Sequence, residues 1–222
     1  MRTVDTAALK KSFAEGARTL DLRLSDAQLD KAIAYLTLLE KWNAVYNLTA
    51  VRDPAQMVKQ HLLDSLAVVT AFGGRRNVLD VGSGGGLPGV MLAIWASEAD
   101  PDMRISMIDI VHKKTAFLTQ AKVELGLTNV TIHTGRVEQL QVKEKFDAIT
   151  SRAFAEIADF VTWSAHLLAD GGQFIAMKGI DPVAEIARLP APWVSRETRK
   201  IIVPGLNAER HLIFMERSAG AA

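Results

Sequence analysis

A cluster of glycines directly after a short apolar run is the feature that most constrains this chain. Residues 78–90 read VLDVGSGGGLPGV, in which five glycines fall within eight positions. Glycine adopts positive φ at little cost and lets a backbone approach a ligand closely. A strand that enters a helix through such a turn is typical of ligand-binding α/β folds. We therefore expect a ligand to bind at this turn. Which kind of ligand it is has to follow from the other residues.

Apolar runs alternate with helical patterns from residue 77 onward. We predict strands at 77–82, 104–109, 129–134, 146–152 and 173–178, followed by an antiparallel pair at 193–204 and 210–217. Helical patterns lie between them, at 87–96, 113–125 and 156–168. This alternation predicts an α/β fold with a doubly wound, mostly parallel sheet and an antiparallel strand at its edge.

The first 72 residues carry helical patterns and no strand pattern. Ser25 and Gln28 form a capping box ahead of an apolar face that extends to Leu39, and Asp53-Pro54 opens a further helix. Gly73-Gly74 is too short to act as a flexible linker. We expect residues 1–72 to form a helical extension packed on a ligand-binding domain of residues 73–222.

Composition excludes several classes of protein. The chain has no cysteine, which excludes disulfides, thiolate metal sites and cysteine nucleophiles. Its five histidines lack the ligand spacing of a zinc site, and no apolar run approaches a membrane span. The net charge of +1 means that any nucleic-acid surface is a local basic patch. We expect a cytoplasmic protein without a metal and without a membrane segment.

The acidic residues around the glycines indicate which nucleotide fits. Gly84, Gly86 and Gly89 match the spacing G-x-G-x-x-G of dinucleotide sites. Asp80, however, would repel the pyrophosphate of a nicotinamide cofactor. S-adenosylmethionine carries an ammonium, a sulfonium and a ribose but no phosphate, and Asp109 at the end of the second strand would accept its ribose hydroxyls. Each acid has an alternative reading, as a cap of the turn for Asp80 and as a helix N-cap for Asp109.

Seven motifs in order give a more specific signal. They are WNAVYNLTAVRDP, HLLDSL, LDVGSGGGLPG, GRVEQL, ITSRAF, AMKG and ERHL, spanning roughly residues 40–212. Together they resemble the bacterial small-subunit ribosomal RNA methyltransferase G family, also called glucose-inhibited division protein B. The resemblance implies a class I (Rossmann-like) methyltransferase fold preceded by helices, with S-adenosylmethionine as the methyl donor. It also implies methylation of guanine N7 in 16S ribosomal RNA of the small ribosomal subunit, and we expect a monomer.

The resemblance also assigns site residues. Mapped residue by residue, the cofactor site of the family falls on Gly82, Ser83, Gly84, Gly85, Gly86, Leu87, Asp109, Val137 and Glu138, to which the argument above adds Asp80. Arg152, at the end of the fourth strand, lies where the methyl group and the target base should meet, and it is the expected catalytic residue and a further cofactor contact. Relatives often have a proline or an alanine between the glycines, whereas this loop reads G-S-G-G-G.

Basic and aromatic residues near these motifs are candidates for RNA contact. They are Arg52, Lys59, Lys113, Lys114, Arg136, Phe154, Lys178 and Arg210. Phe154 would stack on a base, or it belongs to the core. Lys178 would meet a phosphate or guanine O6, or it is an ordinary exposed lysine. Solvated lysines and arginines are the alternative for the rest of the set.

The residue types also limit the chemistry. Methylation of pyrimidine carbon 5 needs a cysteine, and the segment after the fourth strand reads S-R-A-F where amine methyltransferases have Asn/Asp-Pro-Pro-aromatic. Guanine N7 exposes a lone pair and needs no general base. His61, Asp64 and Ser65 share one helical turn, where a histidine cannot easily lie between serine and aspartate as a triad needs, so we expect them to fix the helices to the sheet or to touch RNA. A small-molecule methyltransferase, a nicotinamide-dependent oxidoreductase and a non-catalytic ribosome-assembly factor remain as alternatives.

Overall fold

The structure, a computed structural model, describes residues 5–152, 154, 156–180 and 182–218. Seven strands of this part form one sheet, namely β1 Asn77–Val81, β2 Arg104–Asp109, β3 Val130–Thr134, β4 Phe146–Arg152, β5 Leu168–Lys178, β6 Trp193–Lys200 and β7 His211–Arg217. Their order is β3-β2-β1-β4-β5-β7-β6, and the five strands from β3 to β5 are parallel. The predicted doubly wound, mostly parallel α/β sheet is confirmed.

The antiparallel strand lies one place inside the edge. β7 pairs antiparallel with β5 on one side and with β6 on the other. Residues 211–215 of β7 are all buried, whereas residues 196–200 of the edge strand β6 are exposed. A strand that is apolar on both faces needs cover on both sides, and a charged strand tolerates the edge. The position of β7 follows from this difference in composition.

Helices precede the sheet and cover both of its faces. They are α1 Thr6–Thr19, α2 Asp26–Tyr46, α3 Pro54–Met57, α4 Asp64–Leu66, α5 Gly89–Ala99, α6 His112–Glu124, α7 Ile157–Ser164 and α8 Val183–Ile186. A π-helical segment, Val58–Leu63, joins α3 to α4, and 3₁₀ turns lie at Val69–Phe72, Val137–Gln139 and Ala165–Leu167. Within the described ranges, none of these helices has the length and the apolar character needed to cross a membrane.

Two local features differ from the sequence-based expectation. The helix that opens at Asp53-Pro54 changes to π-helical geometry at Val58, a change that no residue pattern signals. β5 begins at Leu168 and not at residue 173. Its pairing with β4 shifts between Phe146 and Ala148, which face Leu168 and Gln173, so the additional residues of β5 form a bulge. Gly171 adopts φ 73° within that bulge.

The side chains of the sheet alternate between two apolar clusters. Val78, Ala148 and Ile175 face one cluster, which contains the core residues of α1, α2, α5 and α6. Leu79 and Ile149 face the other cluster, together with α7. The N-terminal helices therefore share a continuous apolar core with one face of the sheet. The division of the chain at residue 72 stays a prediction.

Gln28 fixes the start of α2 against the middle of α5. The predicted capping box is present, since the Gln28 N–H donates to Ser25 Oγ at 3.2 Å and the Ser25 N–H donates to Gln28 Oε1 at 3.0 Å. The buried Gln28 amide also donates through Nε2 to the carbonyl oxygens of Ile94 at 2.9 Å and Trp95 at 3.1 Å. One side chain thus completes the capping box of α2 and ties that helix to the middle of α5.

Gln28→Ala should lower the free energy of unfolding by about 2 kcal/mol, because it removes the Gln28 side-chain half of the capping box and both hydrogen bonds that tie α2 to α5. Urea unfolding followed by circular dichroism measures this loss. Gln56→Ala is the matched control, since Gln56 is an exposed glutamine in the first turn of α3. The control should stay within about 0.5 kcal/mol of the wild type. Equal losses in the two variants would contradict the anchoring role of Gln28.

Candidate active site

Two adjoining cavities open where the parallel strands end. The Arg152 cavity, of about 520 Å³, lies between the glycine loop, the π-helical segment and the ends of β4 and β5. The Asp109 cavity, of about 360 Å³, lies between β1, β2, the turn after β3 and α7. Gly82 and Lys114 line both cavities. The two meet where the strand order reverses between β1 and β4, the usual ligand position in a doubly wound sheet.

The glycine loop is held on one side by the end of β2. The N–H groups of Gly82 and Ser83 donate to the Ile108 carbonyl at 2.9 and 3.1 Å, and the Gly84 N–H donates to Asp109 Oδ2 at 3.0 Å. Gly86 has φ 92°, and a Cβ added there would lie 2.6 Å from a methyl of Leu118. Only glycine fits this position without strain.

Asp109 supports the loop and lines its cavity at the same time. Its Oδ2 accepts the Gly84 N–H, its Oδ1 accepts the Val111 N–H at 2.9 Å, and Lys114 Nζ lies 3.5 Å from Oδ2. A carboxylate offers about four lone-pair sites, so these three contacts leave capacity for a ligand hydroxyl. Asp109 is not the N-cap of α6, because that helix begins at His112 and Val111 is its N-cap residue. Its role as a ligand contact stays a prediction.

Aromatic and acidic residues form the far wall of the Asp109 cavity. Val137 and Glu138 line it, and their role as cofactor contacts stays a prediction. Phe154 lines it too, and its ring lies 5.6 Å from that of Trp163. Phe154 was predicted either to stack on a base or to belong to the core. It packs against the apolar cluster that contains α7 and does not line the Arg152 cavity. Trp163 was missed, because nothing in the pattern of α7 separates a cavity residue from a surface one.

Asp80 lies beneath the loop and lines neither cavity. Its fully buried Oδ2 accepts the Gly89 N–H at 2.9 Å, while Oδ1 has no hydrogen-bond partner among the described residues. Burial raises the pKa of Asp80 to about 7, against the opposing effects of the Gly89 N–H and the Arg152 charge. The carboxylate expected to face a ligand thus holds the start of α5 from below.

Asp64 joins two arginines across the Arg152 cavity. Arg152 Nη1 donates to Asp64 Oδ2 and to the Gln60 carbonyl, both at 3.2 Å. Arg210 Nε donates to Asp64 Oδ1 at 2.6 Å. The Asp64 side chain is only 3% exposed, whereas the arginine side chains are about a quarter exposed, at 24% and 26%. Asp64 thereby fixes the helices to the sheet. Because two guanidinium groups share one carboxylate, this side of the Arg152 cavity carries a net positive charge.

The other ionisable groups of the Arg152 cavity are engaged. Lys178 Nζ lies 2.7 Å from Glu185 Oε2 of α8. His61 Nε2 lies 2.8 Å from Thr49 Oγ1, and burial lowers the pKa of His61, which keeps its ring neutral near pH 7. Neither Thr49 nor Glu185 was anticipated as a partner, because their contacts arise from tertiary packing.

The residues predicted to bind RNA divide into three groups. Those of the Arg152 cavity are Lys114, Lys178 and Arg210, those of the Asp109 cavity are Lys114, Arg136 and Phe154, and those of neither are Arg52, Lys59 and Lys113. Arg52 donates to the Asn43 carbonyl and to Asn47 Oδ1, contacts that close the end of α2. In the part of the chain that the structure describes, no group of three or more His, Cys, Asp or Glu side chains is arranged to hold a metal.

Asp64→Asn should lower the free energy of unfolding by about 3 kcal/mol, because it keeps the shape of the side chain and leaves two neighbouring guanidinium groups without a counter-charge. Chemical unfolding at pH 7 measures the loss. Asp170→Asn makes the same change at an exposed residue of the β5 bulge and should have almost no effect. A loss for Asp64→Asn no larger than that of the control would show that the bridge is dispensable.

Asp80→Asn should gain stability relative to the wild type as pH rises. The folded pKa of about 7 lies above the ordinary value of 3.8, so the folded protein holds a proton that the unfolded chain releases, and wild-type stability falls between those values. Asparagine cannot ionise and lacks this decline. Between pH 5 and pH 8 the difference in unfolding free energy should move by about 3 kcal/mol in favour of the variant. Urea titrations across this range measure it, and a pH-independent difference would refute the shift.

Known proteins resemble this chain in both fold and sequence. The family described as rRNA small subunit methyltransferase G matches residues 28–213. Among solved structures, the O-methyltransferase from Bacillus cereus in complex with SAH has a TM-score of 0.57 at 18% identity, covering 94% of this chain and 100% of that one. The O-methyltransferase TomG from Streptomyces achromogenes in complex with SAM has a TM-score of 0.56 at 14% identity, covering 97% and 100%. At such identities these likenesses show the methyltransferase fold alone.

Sequence relatives are much more similar. The ribosomal RNA small subunit methyltransferase G of Herminiimonas arsenicoxydans is 66% identical over 217 residues, which cover 98% of this chain and all of the relative. The protein of the same name from Ralstonia nicotianae is 52% identical over 227 residues, which cover 99% of this chain and all of the relative. With the family match over most of its length, the chain belongs to the rRNA small subunit methyltransferase G family.

Proposed function

We propose that this protein transfers a methyl group from S-adenosylmethionine to N7 of a guanine in 16S ribosomal RNA of the small ribosomal subunit. The observation that carries the proposal is the meeting of the Asp109 and Arg152 cavities at Gly82 and Lys114. A nucleoside in the first cavity and a base in the second would be immediate neighbours, as transfer requires. Membership of the family supports the same reaction and the same donor.

The residues of the Asp109 cavity fit the donor. Asp109 keeps acceptor capacity for ribose hydroxyls, and Val137, Glu138 and Phe154 offer an apolar and acidic wall to an adenine. When bound, S-adenosylmethionine supplies an electrophilic methyl on its sulfonium. Gly82, which lines both cavities, would hold it by backbone contacts. The loop residues up to Leu87 and Arg152 would contact the part of the donor that reaches into the Arg152 cavity.

The charges of the Arg152 cavity fit an RNA acceptor. Four cations line it, namely Arg152, Arg210, Lys178 and Lys114. Two acids oppose them, since Asp64 lines the same cavity and Glu185 pairs with Lys178. Guanidinium groups whose outer N–H donors are free of the Asp64 bridge recognise phosphate or guanine O6. Arg152 would then orient the base by these atoms, because a cation directly beside N7 opposes the charge that develops there.

No residue of the cavity has to accept a proton. Guanine N7 attacks with a lone pair that carries no hydrogen. The two candidate bases are engaged already, since both oxygens of Asp64 accept from arginines and His61 contacts Thr49. Arginine stays protonated in proteins and does not serve as a base. Catalysis therefore consists of alignment and exclusion of water, for which these fixed partners are suited.

The reaction belongs in the cytoplasm, where ribosomes assemble, and we propose a monomer as the active form. Sedimentation of the purified protein tests the monomer.

A small-molecule methyltransferase and a non-catalytic assembly factor are the competing functions. Small subunits that lack the modification, free 16S RNA and buffer alone, each incubated with labelled S-adenosylmethionine, separate them. Cleavage of the product RNA at 7-methylguanosine identifies the atom. Absence of label in the subunits would refute the proposal.

Arg152→Ala should lower the single-turnover rate on small subunits by at least about 100-fold, as expected for loss of an aligning group. The fold should survive, since Arg210 still pairs with Asp64. Arg152→Lys should recover part of the rate, because lysine restores the charge but not the planar fork. Arg196→Ala is the control, since it deletes an exposed arginine of the edge strand β6 whose partner is Glu216 of β7. A rate for Arg152→Ala equal to that control, or a tenfold rise per pH unit between about pH 6 and 8, would contradict this role.

A further inference from the structure

The carbonyl of Gly85 is held by a helix from the N-terminal extension. The Tyr35 hydroxyl of α2 donates to Gly85 O at 2.5 Å, although the two residues lie 50 positions apart. On its other side the loop is held by β2, where the Gly84 N–H donates to Asp109 Oδ2. The glycine loop is therefore clamped between α2 and the end of β2.

The helix that supplies this hydroxyl is itself fixed. Gln28 ties the start of α2 to α5, and the ring of Tyr35 packs against Phe117 of α6 with ring centroids 6.1 Å apart. Leu39 lies one turn further along α2, and a Cβ added to Gly85 would be 3.5 Å from its methyl. Tyr35 and Leu39 thus present one face of a rigid helix to the loop.

The loop needs such a support more than most segments do. Gly84, Gly85 and Gly86 are consecutive, and the outer two have φ 56° and 92°. Glycine has more conformational freedom to lose than any other residue. A contact that orders the loop before the ligand arrives reduces the entropy lost on binding. Burial raises the pKa of Tyr35 well above its ordinary value, so the hydroxyl remains protonated and keeps donating.

We propose that Tyr35 is a positioning residue for the cofactor, whose hydroxyl holds the Gly85 carbonyl and so keeps the glycine loop in its binding conformation. The inference rests on the proposed function, in which this loop cradles S-adenosylmethionine. If the Tyr35 hydrogen bond served only the stability of the core, its removal would destabilise the protein and leave the affinity for the ligand unchanged.

Tyr35→Phe removes the hydroxyl and keeps the ring. Isothermal titration with S-adenosylhomocysteine should give a Kd about five- to tenfold higher than the wild type. The KM for S-adenosylmethionine should rise by the same factor, while kcat and the KM for small subunits stay within about twofold. Deuterium exchange of the peptide over residues 82–90 should be faster in the free variant and return to the wild-type level at saturating ligand. Tyr46→Phe, at a 40% exposed residue of the same helix, should match the wild type in every measurement.

Leu39→Ala distinguishes the hydroxyl from packing. It removes the methyl that lies against Gly85 and leaves the hydroxyl, so it should lower Tm while the Kd changes by less than about twofold. An equal rise of Kd in Leu39→Ala and Tyr35→Phe would overturn the proposal, as would a Tyr35→Phe protein whose Kd and exchange match those of the wild type. A wild-type protein that does not bind S-adenosylhomocysteine would instead overturn the cofactor site, and the role of Tyr35 with it.

Discussion

A buried carboxylate between two guanidinium groups is the interaction on which the cleft depends. Asp64 comes from the helices before the sheet, whereas Arg152 ends β4 and Arg210 precedes β7. Three distant parts of the chain therefore meet at one side chain. Breaking such a group leaves uncompensated charge in a partly buried place, which costs more than a surface pair contributes. The same carboxylate that joins the walls of the cleft also sets the direction in which its cations point.

The glycine loop owes its shape to its surroundings more than to its own residues. Glycines permit positive φ but do not select one conformation. Backbone acceptors at the end of β2, the Asp109 carboxylate and the Asp80 carboxylate below select it. A flexible sequence with a rigid frame allows close approach to a ligand without a large loss of entropy on binding. The helical extension is part of that frame, which explains why its apolar face is continuous with the core of the sheet.

Much of the fold could be predicted from the sequence, and less of the site. β2 and β4 have the predicted bounds because each is a short apolar run between polar segments. The early start of β5 was missed, since two glycines in a strand look like a turn until the pairing partner is known. Asp109 was predicted from its place at the end of the second strand, whereas Arg152 was predicted from the resemblance to the family. Their partners, such as Asp64 for Arg152, depend on packing across 88 positions, which no local pattern encodes.

The position of β7 has a consequence for how the protein is made. β7 lies between β5 and β6, and Arg210 just before it meets Asp64, a residue 146 positions earlier. During synthesis the helices, the glycine turn and the five parallel strands leave the ribosome before the strand that covers β5. An unpaired apolar strand edge is prone to wrong partners until it is covered. The nascent chain therefore spends most of its synthesis with one side of the cleft unfinished, and the last cation arrives with the strand that closes the sheet.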